Sequence, residues 1–421
     1  MTEPTAAQSR RAVVAATIGN LLEWYDFGVY GFFAATIGRV FFAAGDPTSA
    51  LLASFATFGV GFLMRPLGGI IIGWIGDHRG RKPAMILCIL SMAFGTVMIG
   101  LLPGYASIGV AAPALLVVAR LIQGFSAGGD WGGSTAFMVE WAPNGRRGWY
   151  GSFQQASVAC GLLLGSAMAA LIASAMAPEA VADWGWRVPF LLGGLLGPVG
   201  FLLRRSVEET PHYRATMAPP PSLRPASASF LEGLRGFGFT IHWTVCFYIF
   251  LAYMPTFTRT QAKLSNAESL WSNTIGLVVL VVAIPMMGAL SDRIGRKRLL
   301  LASCAAFIVL PLPLLWIITQ APGFGVIALI QVVFGLAISL MSGPGPAAIT
   351  EIFPTRGRSV WMSSSYALAV AIFGGFAPFI ATWLIATTGW NLSPMFYVMA
   401  AAAITFGVVA TLRETAHAAL R

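Results

Sequence analysis

Charge is what this chain has least of. Only 10% of its residues are charged while 57% are hydrophobic, against about 25% charged in an average soluble domain. A water-facing surface cannot be assembled from so few charges, so most of the surface must lie in lipid. Acid is scarcer than base, 16 residues against 26, which leaves a net charge of +10. The bases stand in short clusters between apolar runs and not along one amphipathic face. That pattern sets membrane topology, and it excludes a nucleic-acid-binding surface. Cysteine is sparse too. Cys88, Cys160, Cys246 and Cys304 each stand alone in an apolar stretch, with neither C-x-x-C nor zinc-ligand spacing, so they read as small buried hydrophobes and not as a disulfide framework or metal site. No nucleophile–base pair is visible, which argues against an enzyme. The glycine-rich run around Asp130 lacks the preceding strand and the lysine of a phosphate loop, so no nucleotide cofactor is expected. The polar start through Arg11 leads into a run holding Glu23 and Asp26 with no small-residue cleavage site; it reads as a retained first helix and not a signal peptide.

What the chain has in plenty is long apolar runs. A spanning helix needs about 20 mostly apolar residues. Twelve candidates lie near 12–41, 48–76, 83–102, 110–139, 148–176, 185–203, 236–258, 267–290, 299–320, 324–350, 359–386 and 392–412. Of the 26 Lys and Arg, Arg39, Arg187, Arg259 and Lys263 fall on the side away from the N-terminus, and Arg65 and Arg120 fall inside the bilayer. The rest share the side of the N-terminus, which places both termini in the cytoplasm and demands an even number of spans.

Two motifs occur twice. Gly73-Trp-Ile-Gly-Asp77-His-Arg-Gly80-Arg81-Lys82 returns as Gly288-Ala-Leu-Ser-Asp292-Arg-Ile-Gly295-Arg296-Lys297, each at the end of the second span of a half. Glu140-Trp-Ala-Pro143-Asn-Gly-Arg-Arg147 returns as Glu351-Ile-Phe-Pro354-Thr-Arg-Gly-Arg358 at the end of each fourth span. A weaker echo pairs Arg205…Glu209-Thr210 with Arg413-Glu414-Thr415. The expected organisation is a six-helix bundle over 1–203, a cytoplasmic linker over 204–228 rich in proline and polar residues, and a second six-helix bundle over 229–421. Parallel six-span repeats are a transporter architecture, with the substrate site near the midplane between the halves.

The duplicated turns match the G-x-x-x-D-x-x-G-R-K loop signature, and the chain resembles the major facilitator superfamily over nearly its whole length. The E-x-x-P-x-x-x-R pairs resemble the branch shared by sugar porters and metabolite:proton symporters. Asn20-Leu-Leu-Glu23-Trp24-Tyr25-Asp26-Phe27-Gly28-Val29-Tyr30-Gly31, Phe62-Leu-Met-Arg65-Pro66-Leu-Gly-Gly69 and Arg120-Leu-Ile-Gln123-Gly124…Asp130-Trp131-Gly132-Gly133 point to the metabolite:proton symporters. One departure stands out: many members carry Glu where this chain has Asp130. The resemblance implies an all-α membrane protein of twelve spans in two pseudo-symmetric bundles, rocking about a central site. It also implies that the repeated turns latch the cytoplasmic face. Asp77, Arg81, Lys82, Glu140 and Arg147, with their counterparts Asp292, Arg296, Lys297, Glu351 and Arg358, are the expected gate. The bland alternative is that the basic residues only enforce orientation.

Charges inside a bilayer cost about 2.5 to 3.5 kcal/mol each on insertion scales, so Glu23, Asp26, Arg65, Arg120 and Asp130 need a reason. Glu23 lies twelve residues past Arg11 and Arg65 twelve before Asp77, so each is about 18 Å deep at 1.5 Å per residue, and on antiparallel neighbours they can meet. A desolvated carboxylate holds a proton more readily than one in water, which makes Asp26, Glu23 and Asp130 candidate proton carriers. Arg120 and Arg65 suit an anionic substrate, since guanidinium grips carboxylate bidentately and never deprotonates. His242, within the seventh span, is a further candidate by its ordinary titration range, as are Tyr25, Gln123 and Gln154 as polar lining; a packing role is the alternative for each. The expected activity is proton-coupled import of a small organic acid, foremost a di- or tricarboxylate such as citrate or 2-oxoglutarate. A zwitterionic osmolyte such as proline or betaine, a shikimate-like acid, or export by proton antiport are the alternatives. Protons are the coupling ion, no cofactor or metal is expected, and the protein is expected to work as a monomer in the bacterial inner membrane.

Overall fold

The computed structural model describes residues 6–43, 45–79, 81–128, 131–140, 142–143, 145–205, 226–353 and 358–418. Within some helices only the backbone is described, which leaves the side chains of Asp77, Arg81, Lys82, Glu140 and Arg358, and the whole of Asp130, outside the described residues.

All twelve expected positions are helical. In the first half, span 1 is Ala6–Phe32 continued by Ala34–Phe41, span 2 is Pro47–Leu63 with Arg65–Arg79, and span 3 is Arg81–Leu101. Span 4 is Ala111–Ala127 with Trp131–Glu140, span 5 is Arg147–Ala175, and span 6 is Arg187–Arg205. In the second half, span 7 is Ala226–Phe247 with Met254–Gln261, span 8 is Asn266–Ile294, and span 9 is Arg296–Val309 with Pro311–Thr319. Span 10 is Phe324–Ser342 with Gly345–Ile352, span 11 is Arg358–Ala369 with Ala377–Thr388, and span 12 is Pro394–Thr411. Among the described residues, seven of these helices are long and apolar enough to cross a membrane, and span 9 makes an eighth when its two pieces are joined across a 43° bend. Spans 3 and 4 contribute shorter apolar helices, Ile86–Leu101 and Ala111–Ala127. Span 7 begins ten residues before its apolar run suggested, because a polar, charged turn extends the helix beyond the lipid-compatible stretch.

Proline accompanies several of the breaks. It lacks an N–H and crowds the carbonyl four residues back. Span 9 bends at Leu310-Pro311 for that reason. Span 7 passes through a π-helical turn at Tyr248–Tyr253 and span 11 through one at Val370–Gly374; each lies just ahead of a proline, Pro255 and Pro378. The carbonyl that Pro255 frees, Leu251 O, is taken up by Asn273 Nδ2 of span 8 at 3.1 Å. Such wide turns commonly mark functional positions.

Small residues let the spans close on one another. Spans 2 and 4 cross backbone to backbone: a side chain added at Gly124 would run into Gly61 O, and one at Gly128 into Arg65 O. The two halves meet chiefly along spans 5 and 8. Away from the termini, Ser166 Oγ meets Thr274 Oγ1 at 2.8 Å and Trp271 Nε1 donates to Ser174 Oγ at 3.1 Å. At the terminal end, a Cβ added to Gly288 would lie 2.6 Å from Gly148 O. The seam is therefore shut at both ends, and the conformation is occluded.

Candidate functional site

The charges of the first half converge. Arg65 Nη2 lies 3.4 Å from Glu23 Oε1, the meeting anticipated from their equal depths. Its guanidinium also sits 4.6 Å from the Phe62 ring centroid, 5.1 Å from Phe27 and 5.4 Å from Trp24. Arg120 is fully buried and packs 4.5 Å from Tyr30, 4.8 Å from Phe27 and 5.1 Å from Phe58. Phe27 thus stands between two guanidinium groups. Ring faces are the cheapest surroundings for a desolvated cation, at about 0.5 to 2 kcal/mol each.

Asp26 is wired to Arg120. Thr96 Oγ1, on span 3, donates to Asp26 Oδ2 at 2.6 Å. Gln123 Nε2 donates to Thr96 Oγ1 at 2.8 Å, and Arg120 Nη1 donates to Gln123 Oε1 at 2.7 Å. Arg120 Nη2 reaches Phe58 O at 3.3 Å. All four members of the chain carboxylate–hydroxyl–amide–guanidinium are buried. Thr96 was not singled out from the sequence: a threonine in an uncharged span carries no signal until the fold places it between Asp26 and Gln123.

A cavity opens between the halves, lined by Trp24 of span 1, Gln155 of span 5, Trp243, Thr244 and Tyr248 of span 7 and Tyr366 of span 11. At one side Trp131 stacks on Tyr366 with centroids 3.3 Å apart, ring against ring across the seam. Thr244 Oγ1, Tyr248 Oη and Gln154 Nε2 are buried without an internal hydrogen-bond partner, as is Nε of both Arg65 and Arg120. Buried polar groups are ordinarily satisfied. Of these, Thr244 and Tyr248 line the cavity and can donate into it. The structure disperses the remaining candidates. Tyr25 Oη donates to Pro189 O of span 6 at 3.0 Å, tying spans 1 and 6 together. His242 lies inside the second half between Ser303 Oγ at 3.3 Å and Cys246 Sγ at 3.1 Å, with its edge on Phe307, and does not line the cavity. All four cysteines are thiols.

The terminal end of the seam carries the second copy of the duplicated turn. Asp292 of span 8 accepts from Gly148 N at 2.8 Å and Trp149 N at 2.9 Å, the first turn of span 5 in the other half. A carboxylate there satisfies orphan N–H groups and opposes the positive end of the helix dipole. Arg296 binds Glu351 bidentately, at 2.8 and 2.9 Å, and Asp292 at 3.1 Å. Arg147 meets Glu351 across the seam at 3.4 Å and donates to Ala418 O at 2.9 Å. The arginine of the first Glu-Pro-Arg motif therefore meets the acid of the second across the seam. Lys297 Nζ instead holds Ala410 O and Leu412 O within its own half, at 2.6 and 2.9 Å. Glu414, the acid of the weak third echo, accepts from Arg296 N and Lys297 N at 3.0 Å each. Partial burial raises its carboxyl, but the backbone N–H groups of Ala416, Arg296, Lys297 and Thr415 hold it below the usual carboxylate range.

The chain has relatives whose functions are described. It is 38% identical over 401 residues to the citrate-proton symporter of Klebsiella pneumoniae, covering 93% of this chain and 89% of that one. It is 38% identical over 419 residues to the alpha-ketoglutarate permease of Escherichia coli (strain K12), covering 96% and 94%. The proline/betaine transporter of the same organism is 32% identical over 426 residues, covering 98% of this chain and 85% of that one. Residues 12–218 match the family described as sugar (and other) transporter, and residues 264–420 match the major facilitator superfamily. In fold it superposes on the partially occluded inward open conformation of the xylose transporter XylE from E. coli with a TM-score of 0.79, over 97% of this chain and 99% of that one; at 19% identity this is a likeness of fold alone. Sequence motifs, twelve-span architecture and relatives agree, and the chain belongs to the major facilitator superfamily, in the branch of its metabolite:proton symporters.

Proposed function

We propose that this protein imports a small organic carboxylate together with protons across the bacterial inner membrane, with both termini in the cytoplasm. The observation that carries this reading is the buried link from Asp26 through Thr96 and Gln123 to Arg120. With Asp26 ionised, its charge offsets that of Arg120. When Asp26 takes a proton, Arg120 is left uncompensated in a low-dielectric interior, where an anion is attracted most strongly. Proton and anion thus favour each other's binding, and the coupling is reciprocal. Thr244 and Tyr248 supply neutral donors toward the cavity. Di- and tricarboxylates such as citrate or 2-oxoglutarate lead the substrate candidates, supported by the names of the two relatives at 38% identity.

One observation favours a second reading. Trp24, Trp243, Phe247, Tyr248 and Tyr366 surround the cavity, and a box of ring faces is the ordinary receptor for a quaternary ammonium. A betaine-like zwitterion would use the box for its cation and the donors for its carboxylate. Uptake of a labelled panel of citrate, 2-oxoglutarate, shikimate, proline and betaine into proteoliposomes, with and without an acid-outside pH gradient, separates the readings. Gradient-driven accumulation of an acid supports the first and of a zwitterion the second. If the gradient drives neither, proton symport is lost as the function.

A further inference from the structure

A second cavity lies inside the first half, away from the seam. Glu23 and Asp26 of span 1, Cys88 of span 3, Ser126 of span 4, and Gly193 and Gly197 of span 6 wall it. It shares no lining residue with the cavity between the halves. Span 1 itself is the partition. Residues three apart on a helix share a face, so Glu23 and Asp26 turn together into this cleft while Trp24 turns into the seam. The cleft runs from Asp26 toward the end of the bundle that carries the termini. Its span 1 residue nearest that end, Gly19, is seven residues nearer Arg11 than Asp26, about 10 Å along the helix.

Glycine keeps it open. A Cβ added at Gly193 would stand 2.6 Å from Asp26 Oδ1, and one at Gly197 would stand 2.5 Å from Ala93 Cβ. Any larger side chain on that face of span 6 would close on the carboxylate or on span 3. Among the described residues, the groups facing Asp26 are few. Glu23, which pairs with Arg65 of span 2 at 3.4 Å, shares its helix face, Thr96 of span 3 donates to it, and Gln123 links it to Arg120 of span 4; span 6 presents the uncharged Gly193.

We propose that this cleft is a proton path separate from the substrate path. Asp26 gives its O–H proton to solvent in the cleft, or to the Glu23 carboxylate on the same face, and from there it passes to the terminal side. The carboxylate left behind keeps the Thr96 hydroxyl as donor. The seam need not open for this transfer, so proton release and substrate release use different doors. The proposal rests on Asp26 being the proton carrier.

Blocking the cleft should uncouple transport without touching the substrate route. Substrate exchange on a fully loaded carrier needs no net proton movement, whereas gradient-driven accumulation does. In a protein whose Cys160, Cys246 and Cys304 are replaced by Ala, leaving Cys88, a small methanethiosulfonate reagent adds bulk to the span 3 wall of an already folded protein. Expected results are modification of Cys88, confirmed by mass spectrometry and not slowed by substrate, with gradient-driven uptake reduced at least tenfold and substrate counterflow kept within twofold. Cys88→Phe, which adds the bulk genetically, should behave alike. Uptake and counterflow falling together, neither changing after modification, or a Cys88 that no reagent reaches would each overturn the separate path. An unmodified protein that shows no gradient-driven uptake of any panel substrate would instead remove the underlying reading of Asp26.

Discussion

Replacing Asp292 with alanine removes a carboxylate that caps a helix of the opposite half. Its two oxygens accept from Gly148 N and Trp149 N. Losing a side-chain cap costs about 1 kcal/mol, and losing a partly buried negative charge at a helix N-terminus costs about 1 kcal/mol more. Both interactions exist only while the terminal end is shut, so their sum, about 2 kcal/mol, falls on the closed state and shifts the closed-to-open ratio about thirtyfold. The Arg296–Glu351 bonds, by contrast, lie within one half and survive opening. Asp292→Asn keeps a capping oxygen, since Asn caps about as well as Asp, and should shift the ratio only about fivefold. Spin labels at the terminal ends of spans 5 and 8, read by electron–electron double resonance, report the distance distribution directly. The expected order of open population is Asp292→Ala, then Asp292→Asn, then wild type. Lys297→Ala, which breaks only contacts to Ala410 O and Leu412 O in its own half, should match wild type. Equal distributions for Asp292→Ala and wild type, or as large a shift from Lys297→Ala, would refute the cross-half cap as the latch.

Further outcomes are expected elsewhere. Thr96→Val is nearly isosteric but removes the hydroxyl between Asp26 and Gln123; leaving these buried groups unpaired costs about 1 to 3 kcal/mol, and gradient-driven uptake should fall at least tenfold with the protein still folded by thermal-shift assay. Arg120→Lys keeps the charge but loses the planar fork that holds Gln123 and Phe58 O; counterflow affinity should weaken about tenfold or more, and an unchanged KM would remove Arg120 from anion recognition. Gly124→Ala drives a methyl into Gly61 O and should lower the melting temperature by several degrees as the crossing of spans 2 and 4 is forced apart.

Much of this molecule could be read before its fold was known, and the failures have physical causes. Apolar length and basic clusters located the spans because the bilayer constrains both directly. Equal depth sufficed to bring Glu23 and Arg65 together, since one coordinate is enough for neighbouring antiparallel helices. Two coordinates were needed elsewhere. Thr96 and Thr244 are neutral residues in apolar spans, and only helix rotation turns one toward Asp26 and the other into the cavity. The Glu-Pro-Arg motifs suggested partners, but that Arg147 meets Glu351 of the other copy depends on how the halves face each other, which no repeat within one chain encodes locally. His242 drew attention as a titratable group in a span; depth alone could not tell a position facing span 9 from one facing the seam.

The most direct measurement of the central claim is gradient-driven uptake by Asp26→Asn in proteoliposomes, beside substrate counterflow in the same vesicles. Asparagine keeps the acceptor for Thr96 Oγ1 and the side-chain volume but cannot cycle a proton. Accumulation against the gradient should vanish while counterflow persists within a few-fold of wild type. Accumulation at the wild-type rate would show that the proton travels by another group and that the wiring of Asp26 to Arg120 is not the coupling device.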